Sequence, residues 1–385
     1  MKIIIHRGTH QIGGCITEIQ SEKGTRIAID IGENLPSAER KEKNELEIKG
    51  LTKEGEQNFD AVLVTHYHGD HIGMFNNVLE GIPIYVGEIS KEIYQILERR
   101  LVKAKFATIQ ELERIEKFKT YSIKKKVTIK DIMITPIEVD HSAFNAHMLL
   151  IECDGKKVLH TGDFRLHGQR GKSVIPALEK YVGKVEVLIC EGTTLSRVKE
   201  EPMTERELQM KAEEIFKDNP YTFVMCSSTN IDRIAAIYKA ALKANRLVIC
   251  DKYQKEMLLY IDSIARSSLY QFKGKLLSYD NNIVNLMRQR GFVMLVRTNN
   301  STAKRAMKQF PSYAFVYSQW EGYLSEKYKE EYAEIQNFVP ADYMYLHTSG
   351  HASFEAIRKV AEVVKPKILI PIHSENPKAF EVLRS

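Results

Sequence analysis

The stretch "VLVTHYHGDHIGM" (Val62–Met74) sets three histidines and an aspartate directly behind a short apolar run. Neighbouring imidazoles gain nothing from one another, so such crowding calls for something bound there. His66 and His68 lie two apart after a strand-like run, and side chains two apart in extended backbone project to the same side. Both can therefore reach one ion. Gly69 permits a sharp turn, after which Asp70 and His71 open a helix expected over "HIGMFNNVLEG" and can face a second ion. Imidazole nitrogen and carboxylate oxygen suit Zn²⁺, and mixed sets of this kind also accept Mn²⁺. A solitary histidine is usually a satisfied core or surface residue. Four chelators in H-x-H-x-D-H order mark a metal site.

Two ions need more ligands than this loop supplies. Further donors stand at the ends of other strand-like runs: His141 after "TPIEVD", Asp163 after "KKVLHTG" and His373 after "KILIPI". An acidic residue at a strand end can bridge two ions about 4 Å apart, as in two-metal phosphoryl-transfer sites. Asp163 is the candidate bridge. Asp30, closing "TRIAID", reads as a carboxylate that orients a liganding histidine. Taken singly, Asp163 is a turn residue and His141 a loop histidine; the loop at 66–71 gives both their meaning. His6, His10, His147, His160 and His167 keep structural readings, with His10 and His167 the nearest to cleft-lining positions.

The chain has 385 residues, room for one large or two moderate domains. Its 43% hydrophobic and 28% charged residues fit an ordinary globular protein. No apolar run approaches a membrane span, and "MKIIIHRG" is too short for a signal peptide, so a first strand is expected from Met1. Five cysteines (Cys15, Cys153, Cys190, Cys226, Cys250) are scattered without CxxC pairing, which reads as small buried thiols in a reducing cytoplasm. The net charge of +6 permits a polyanionic substrate.

Short runs rich in Ile and Val and closed by Gly, Asp or Asn dominate the first half: "MKIIIHR", "CITEIQS", "RIAIDIG", "DAVLVTH", "IPIYVG", "VTIKDIMITPIEV", "MLLIECDG" and "KKVLHTGD". Helical stretches such as "SKEIYQILERRLVKA" and "TIQELERIEKF" fall between them, which predicts sheets with helices packed outside. From Thr204 the rhythm changes. "TERELQMKAEEIFKD" opens on a Thr-x-x-Glu capping box, Thr204 to Glu207. Strands "YTFVMCS" and "RLVICD" then alternate with helices "NIDRIAAIYKAALKA" and "QKEMLLYIDSIA", the pattern of βαβ units and a parallel sheet. Motif-bearing strands resume at "MYLHTSGHAS" and "KILIPIHSE". The expected organisation is a first domain over 1–203, a doubly wound insert over 204–345 and a return to the first domain over 346–385.

With these residues in order, the sequence resembles the metallo-β-lactamase superfamily and, within it, the β-CASP nucleases. "AIDIG", "HYHGDH", "DHSAF" and "HTGDF" are similar to the superfamily's first four motifs. Glu191 in "ICEGTTL" resembles β-CASP motif A, His351 in "HTSGHAS" motif B and His373 in "IPIHSE" motif C, with wording closest to ribonuclease J-like prokaryotic ribonucleases. The resemblance implies a four-layer αββα metallo-β-lactamase fold interrupted by the β-CASP insert. It implies two Zn²⁺ ions, with Mn²⁺ as substitute: one held by His66, His68 and His141, the other by Asp70, His71 and His373, and Asp163 bridging. Asp70, Asp163, Glu191 and His351 form the implied catalytic group. The ions would activate water for in-line attack on a phosphodiester. Glu191 would position His351 or a metal ligand, and His351 would stabilise the transition state or protonate the leaving oxygen. A histidine at motif C goes with RNA-acting members, so His373 favours RNA over DNA. Twelve residues follow His373, whereas ribonuclease J carries a further C-terminal domain linked to dimerisation. The oligomeric state therefore stays open, a dimer included.

Two polar runs at expected helix starts suit phosphate oxygens: Ser228, Thr229 and Asn230 in "CSSTNIDR", and Ser349, Gly350, Ala352 and Ser353 in "SGHAS". Ordinary helix capping is the competing reading for each. Arg165, Arg170 and Lys172 in "FRLHGQRGK" either rim an entrance or belong to a solvated loop. The expectation is a cytoplasmic, zinc-dependent ribonuclease. Its rivals are a DNA-directed nuclease on the same scaffold, a small-molecule metallo-hydrolase and a non-catalytic nucleic-acid-binding relative.

Overall fold

Ile- and Val-rich runs become strands here because β-branched side chains fit a pleated, half-buried surface and the closing Gly, Asp or Asn turns the chain. The computed structural model describes residues 1–35, 46–196, 202–272, 274–298 and 300–383. Over these residues the chain divides into two compact units. Residues 1–35, 46–196 and 350–383 make the first, and those described between 202 and 349 the second.

In the first unit, β1 (Lys2–Arg7), β2 (Ile16–Gln20), β3 (Arg26–Ile29), β4 (Ala61–Leu63), β5 (Ile84–Gly87) and β6 (Lys119–Tyr121) form one sheet in that spatial order. A second sheet begins with β7 (Val127–Ile129), β8 (Ile132–Val139), β9 (Ala146–Cys153), β10 (Lys156–His160) and β11 (Val187–Glu191). The second unit contributes β12 (Tyr221–Met225), β13 (Leu247–Cys250), β14 (Leu276–Ser278), β15 (Phe292–Val296), β16 (Ala314–Tyr317) and β17 (Met344–Tyr345). The chain then returns with β18 (Ile368–Ile372), which pairs parallel with β11 and completes the second sheet.

The two sheets of the first unit meet through alternate residues. Ile27, Ile29 and Leu63 from one face Ile134, Leu149, Ile151 and Ile189 from the other. The intervening residues Met148 and Leu150 point the opposite way, under Val174, Leu178, Ile357 and Val360 of helices Val174–Tyr181 and Phe354–Val364. Helix Glu88–Lys103 lies against β5 and β6. Helix, sheet, sheet, helix is the four-layer arrangement expected above. In the second sheet β8, β10, β11 and β18 share one direction, so their C-terminal ends line one edge. That edge carries His141 after β8, Asp163 after β10, Glu191 at the end of β11 and His373 after β18.

The second unit is a six-stranded sheet in spatial order β14-β13-β15-β12-β16-β17, parallel at every pairing, as strand–helix alternation predicts. Helix Glu205–Asp218 opens on the Thr204–Glu207 capping box with both reciprocal bonds made. It packs against helix Ile231–Lys243, whose Arg233 is fully buried and meets the buried Glu205 carboxylate at 3.0 Å.

Two local expectations are corrected. The helix over "HIGMFNNVLEG" lasts one turn, Gly69–Ile72, followed by a short 3₁₀ turn at Phe75–Asn77. Its carbonyls are taken elsewhere: Asp70 O accepts from Cys15 N and His71 O from Ile31 N, while Met74 N donates to Ile31 O. The ladder cannot continue once tertiary partners claim those groups. "VTIKDIMITPIEV" is a hairpin of β7 and β8 that turns at Lys130, whose φ is 51°.

Arg233→Ala would take away the guanidinium against which the buried Glu205 carboxylate sits, a change expected to cost about 3–5 kcal/mol. Trp320, the single tryptophan, belongs to the second unit and reports on it. Denaturant titration followed by Trp320 fluorescence should show the midpoint moving down; an unmoved midpoint would mean the pair holds nothing together.

Candidate metal centre

The loop after β4 supplies His66 and His68, and the single helical turn that follows supplies Asp70 and His71. Gly32 lets this turn press close: a Cβ there would sit 1.7 Å from Asp70 O. Opposite, Gly162 takes φ 51° and has no room for a side chain, since a Cβ would meet Thr65 at 2.8 Å. Asp163 enters the centre from this position. Its Oδ2 lies 3.2 Å from His71 Nε2, 3.5 Å from His351 Nδ1, and 3.8 Å from the Nε2 atoms of His66, His141 and His373. His373 Nε2 is also 3.0 Å from Asp70 Oδ2. His66, His68 and His141 group their donors within 4.8 Å, as do His66, His71 and Asp163. All seven residues read from the sequence as ligands are thus brought together.

A second layer of hydrogen bonds fixes which ring nitrogen faces inward. Asp30 accepts from Thr65 N at 2.7 Å and from Thr65 Oγ1 at 2.9 Å, and its Oδ2 stands 2.7 Å from His71 Nδ1. His71 therefore donates through Nδ1 to Asp30, which directs its Nε2 toward Asp163. His141 donates through Nδ1 to the Gly350 carbonyl at 2.6 Å, with the same result for its Nε2. Glu191 Oε1 accepts from Phe164 N at 2.7 Å, next to Asp163, and Oε2 holds His351 Nδ1 at 3.1 Å. Asp30 and His373 sit at φ 61° and 49°, left-handed backbone that is uncommon outside glycine and concentrates at functional sites.

Burial pushes the His66 and His141 pKa values well below the imidazole range and takes His68 down to about 4. Those rings are neutral, with lone pairs available. Burial opposes ionisation of Asp163 too, yet His373, His71 and His351 around it hold its carboxyl well below the usual carboxylate range. Asp70 is likewise lowered against burial, chiefly by its hydrogen bond to His373. Burial also works against charge on His71 and His351, but flanking carboxylates win: Asp163 and Asp30 for His71, Glu191 and Asp163 for His351. Neutral imidazoles mixed with ionised carboxylates are the donor set of a divalent cation. His66 Nε2, His71 Nε2 and both Asp163 carboxylate oxygens are buried without a hydrogen-bond partner, whereas buried polar atoms are normally paired. The residues present fit a bound metal.

Three contributors carried no sequence signal of their own. Thr193 Oγ1 donates to Glu191 Oε2 at 2.8 Å and stands 2.7 Å from His373 Nδ1 and 3.2 Å from His351 Nδ1. A hydroxyl has one donor and two acceptor positions, so it joins all three groups. Cys15, read as a buried thiol, lies within 4.8 Å of the His71 and His373 donors; burial pushes its pKa up and keeps it protonated. Arg165, read as either rimming an entrance or lying in a solvated loop, does neither: it is fully buried and bonded through Nε to Asp140 Oδ1 at 2.8 Å. Arg170 partly covers Phe144, and Lys172 is exposed.

Of the phosphate-loop candidates, Gly350 and Ala352 touch the centre. Gly350 O holds His141, and Ala352 N reaches Glu191 Oε1 at 3.4 Å. Ser353 caps helix Phe354–Val364 by accepting from Ala356 N. Ser228, Thr229, Asn230 and Ser349 belong to the second unit, where Ser228 Oγ accepts from Gln254 and Asn230 caps helix Ile231–Lys243. His10 is exposed and His167 half-buried, and neither joins a donor group.

Residues 25–217, half of the chain, match the model of the beta-lactamase superfamily domain. Ribonuclease J of Sinorhizobium meliloti is 23% identical over 344 residues, covering 84% of this chain and 59% of that protein. The RNase J-like protein of Methanocaldococcus jannaschii is 23% identical, covering 96% of this chain and 92% of that one. A crystal structure of a protein of unknown function from Enterococcus faecalis superposes with a TM-score of 0.75 at 21% identity, covering 98% of this chain and 95% of that chain. The last likeness concerns the fold alone. The chain spans little more than half the length of the first ribonuclease J relatives it matches. With its motifs at strand ends of both sheets and half its length matched, the chain belongs to the β-lactamase superfamily, and within it is similar to the ribonuclease J-like β-CASP proteins.

Proposed function

We propose that the chain is a metal-dependent ribonuclease that hydrolyses RNA phosphodiester bonds at a dinuclear zinc site, in RNA processing or decay. The observation that carries this reading is the Asp163 carboxylate, one oxygen of which has five imidazole nitrogens within 3.2–3.8 Å. His66, His68 and His141 would hold one cation, and Asp70, His71 and His373 the other, with Asp163 shared and Mn²⁺ the alternative metal. When bound, such a pair supplies Lewis acidity toward a phosphodiester and lowers the pKa of water. RNA enters the reading through the printed names of the ribonuclease J relatives and the histidine at position 373. A cytoplasmic location is part of the proposal, supported by five buried free cysteines. So are the boundaries 1–203, 204–345 and 346–385.

The chain's own residues divide the remaining work. Asp30, the Gly350 carbonyl and Thr193 keep the outer nitrogens of His71, His141 and His373 protonated, leaving the inner lone pairs for metal. Glu191 holds His351 by Nδ1 and favours its charged form, so the Nε2 edge can donate toward a phosphate or a leaving oxygen. Phosphate contacts from Ser349, Gly350, Ala352 and Ser353, and from Ser228, Thr229 and Asn230, are part of the proposal as helix-start positions, although Ala352 N already donates to Glu191 and Asn230 N to Ser227 O.

The reading is tested by incubating the purified protein with end-labelled RNA and DNA of one sequence, with and without added Zn²⁺ or Mn²⁺. Cleavage of RNA is expected. Turnover of DNA alone, or of a lactone or ester with neither nucleic acid cut, would replace it with one of its rivals.

Elemental analysis of protein purified without chelators should give two divalent ions per chain, and Asp163→Asn should lower both, because a neutral amide cannot bridge two cations. One ion or none in the wild type would count against a dinuclear centre. His351→Ala should keep wild-type metal content while single-turnover cleavage falls roughly 10²–10⁴-fold, the scale of losing a positioned acid–base group. His373→Ala should instead shed or loosen one ion. Thr193→Val, nearly the same shape without the hydroxyl, should move in the direction of His373→Ala; metal content equal to wild type would show that Thr193 does not set the His373 ring.

A further inference from the structure

Residues 281–320 hold six basic side chains, Arg288, Arg290, Arg297, Lys304, Arg305 and Lys308, and not one Asp or Glu. Arg297 is committed to Asp251 at 2.7 Å. The other five are exposed on two helices of the second unit, Val284–Arg290 and Ser301–Gln309. These helices lie together on one face of the parallel sheet. Val284, Met287, Ala303 and Ala306 pack into one apolar cluster with Phe292, Met294 and Phe310, and Arg288 reaches across to Gln309 at 3.3 Å.

None of the five cations makes an ion pair with a described residue. The guanidiniums of Arg288 and Arg290 bond to the amide oxygens of Asn285, Gln309 and Asn245. Lys304 and Lys308 stand four apart on one helix, where like charges are destabilising. Other surface helices of this chain avoid that cost: Arg358 sits between Glu355 and Glu362, and Lys217 meets Glu213. An uncompensated cationic face flanked by amides is what a phosphate backbone requires, since the gain on binding comes from released counterions. Beneath it Phe292 and Phe310 are buried, Tyr221 and Tyr313 are half-buried in the same cluster, and Arg288 lies 5.7 Å over the Phe310 ring. What the face presents to solvent is therefore chiefly charge and hydrogen-bonding groups.

We propose that this face of the second unit binds the phosphate backbone of the RNA substrate through Arg288, Arg290, Lys304, Arg305 and Lys308. The proposal rests on RNA being the substrate and names a surface that holds it independently of base sequence.

The test compares the full-length protein with the triple variant Lys304→Gln/Arg305→Gln/Lys308→Gln, and with a control of equal charge change, Lys124→Gln/Lys125→Gln/Lys126→Gln. Binding of a labelled, 2′-O-methylated single-stranded RNA is measured by anisotropy across a salt series. Each phosphate contact on a single strand contributes about 0.7 to the slope of log affinity against log salt, so the triple variant should lose roughly 2 from the slope. The control should match wild type. Melting temperature should be unchanged or higher in the triple variant, because like-charge repulsion is relieved. A wild-type slope in the triple variant, or an equal loss in the control, would overturn the proposal. So would a loss confined to polyglutamate used as an acidic-protein probe. If the wild type itself binds no RNA, the ribonuclease reading fails; if it binds and cleaves RNA and the triple variant matches it, only the surface fails.

Discussion

Asp163 is an ionised carboxylate, 2% exposed, with five imidazoles around one of its oxygens and no hydrogen bond to either. Taking a charge out of water costs several kcal/mol even after relaxation, and an uncompensated carboxylate would protonate instead. It stays ionised here because the surrounding rings outweigh its burial. The local backbone is arranged around that point. Gly162 brings Asp163 in where a side chain would strike Thr65, and Gly32 lets the Asp70–His71 turn close to van der Waals contact. Asp30 and His373 adopt left-handed backbone to point their side chains the same way. Strain of this kind costs of order 1–3 kcal/mol per residue and persists only where the surroundings over-determine it.

The surroundings do so through side chains that bind one another rather than water. Asp30 links β3 to the loop after β4 through Thr65 and His71. Glu191 links the end of β11 to the Asp163 turn and to the segment carrying His351 and Ala352. Thr193 adds His373 after β18. These bonds join five strand ends, those of β3, β4, β10, β11 and β18, across both sheets, so a change at Asp30, Glu191 or Thr193 reaches the central oxygen through one intermediary. Low local dielectric strengthens such a network when every member is satisfied and penalises it when one is removed.

Much of the architecture was legible in the sequence because it rests on local periodicity. Alternating Ile and Val runs gave the strands, the Thr204–Glu207 box marked a helix start, and strand–helix alternation foretold a parallel sheet. The residues that the structure gathers at Asp163 were legible because chelating side chains at strand ends are conspicuous by type. Thr193, Cys15 and Arg165 were not, because their roles come from partners far away in sequence: His373, 180 positions on from Thr193, also stands beside Cys15. A threonine, a thiol and an arginine have ordinary local readings that only tertiary contact can override. The helix after Asp70 failed for the same reason: its carbonyls are claimed by Cys15 and Ile31, which no local pattern announces.

The Arg165–Asp140 pair shows how such contacts carry precision. Both side chains are fully buried, Nε meets Oδ1 at 2.8 Å, and Arg165 N donates to Asp140 O at 2.7 Å. Asp140 also accepts from Arg170 N at 2.7 Å. A buried ion pair of this sort adds little net stability, because desolvating both charges offsets their attraction. Its effect is geometric. Asp140 precedes His141 and Arg165 follows Asp163 by two residues, so the pair fixes the end of β8 against the turn after β10. Those two backbone segments carry donors whose Nε2 and Oδ2 atoms lie 3.8 Å apart. An apolar replacement of the same volume would seal the space as well, but it would not set the two ends by directional bonds, and a metal centre tolerates displacements of only a few tenths of an ångström.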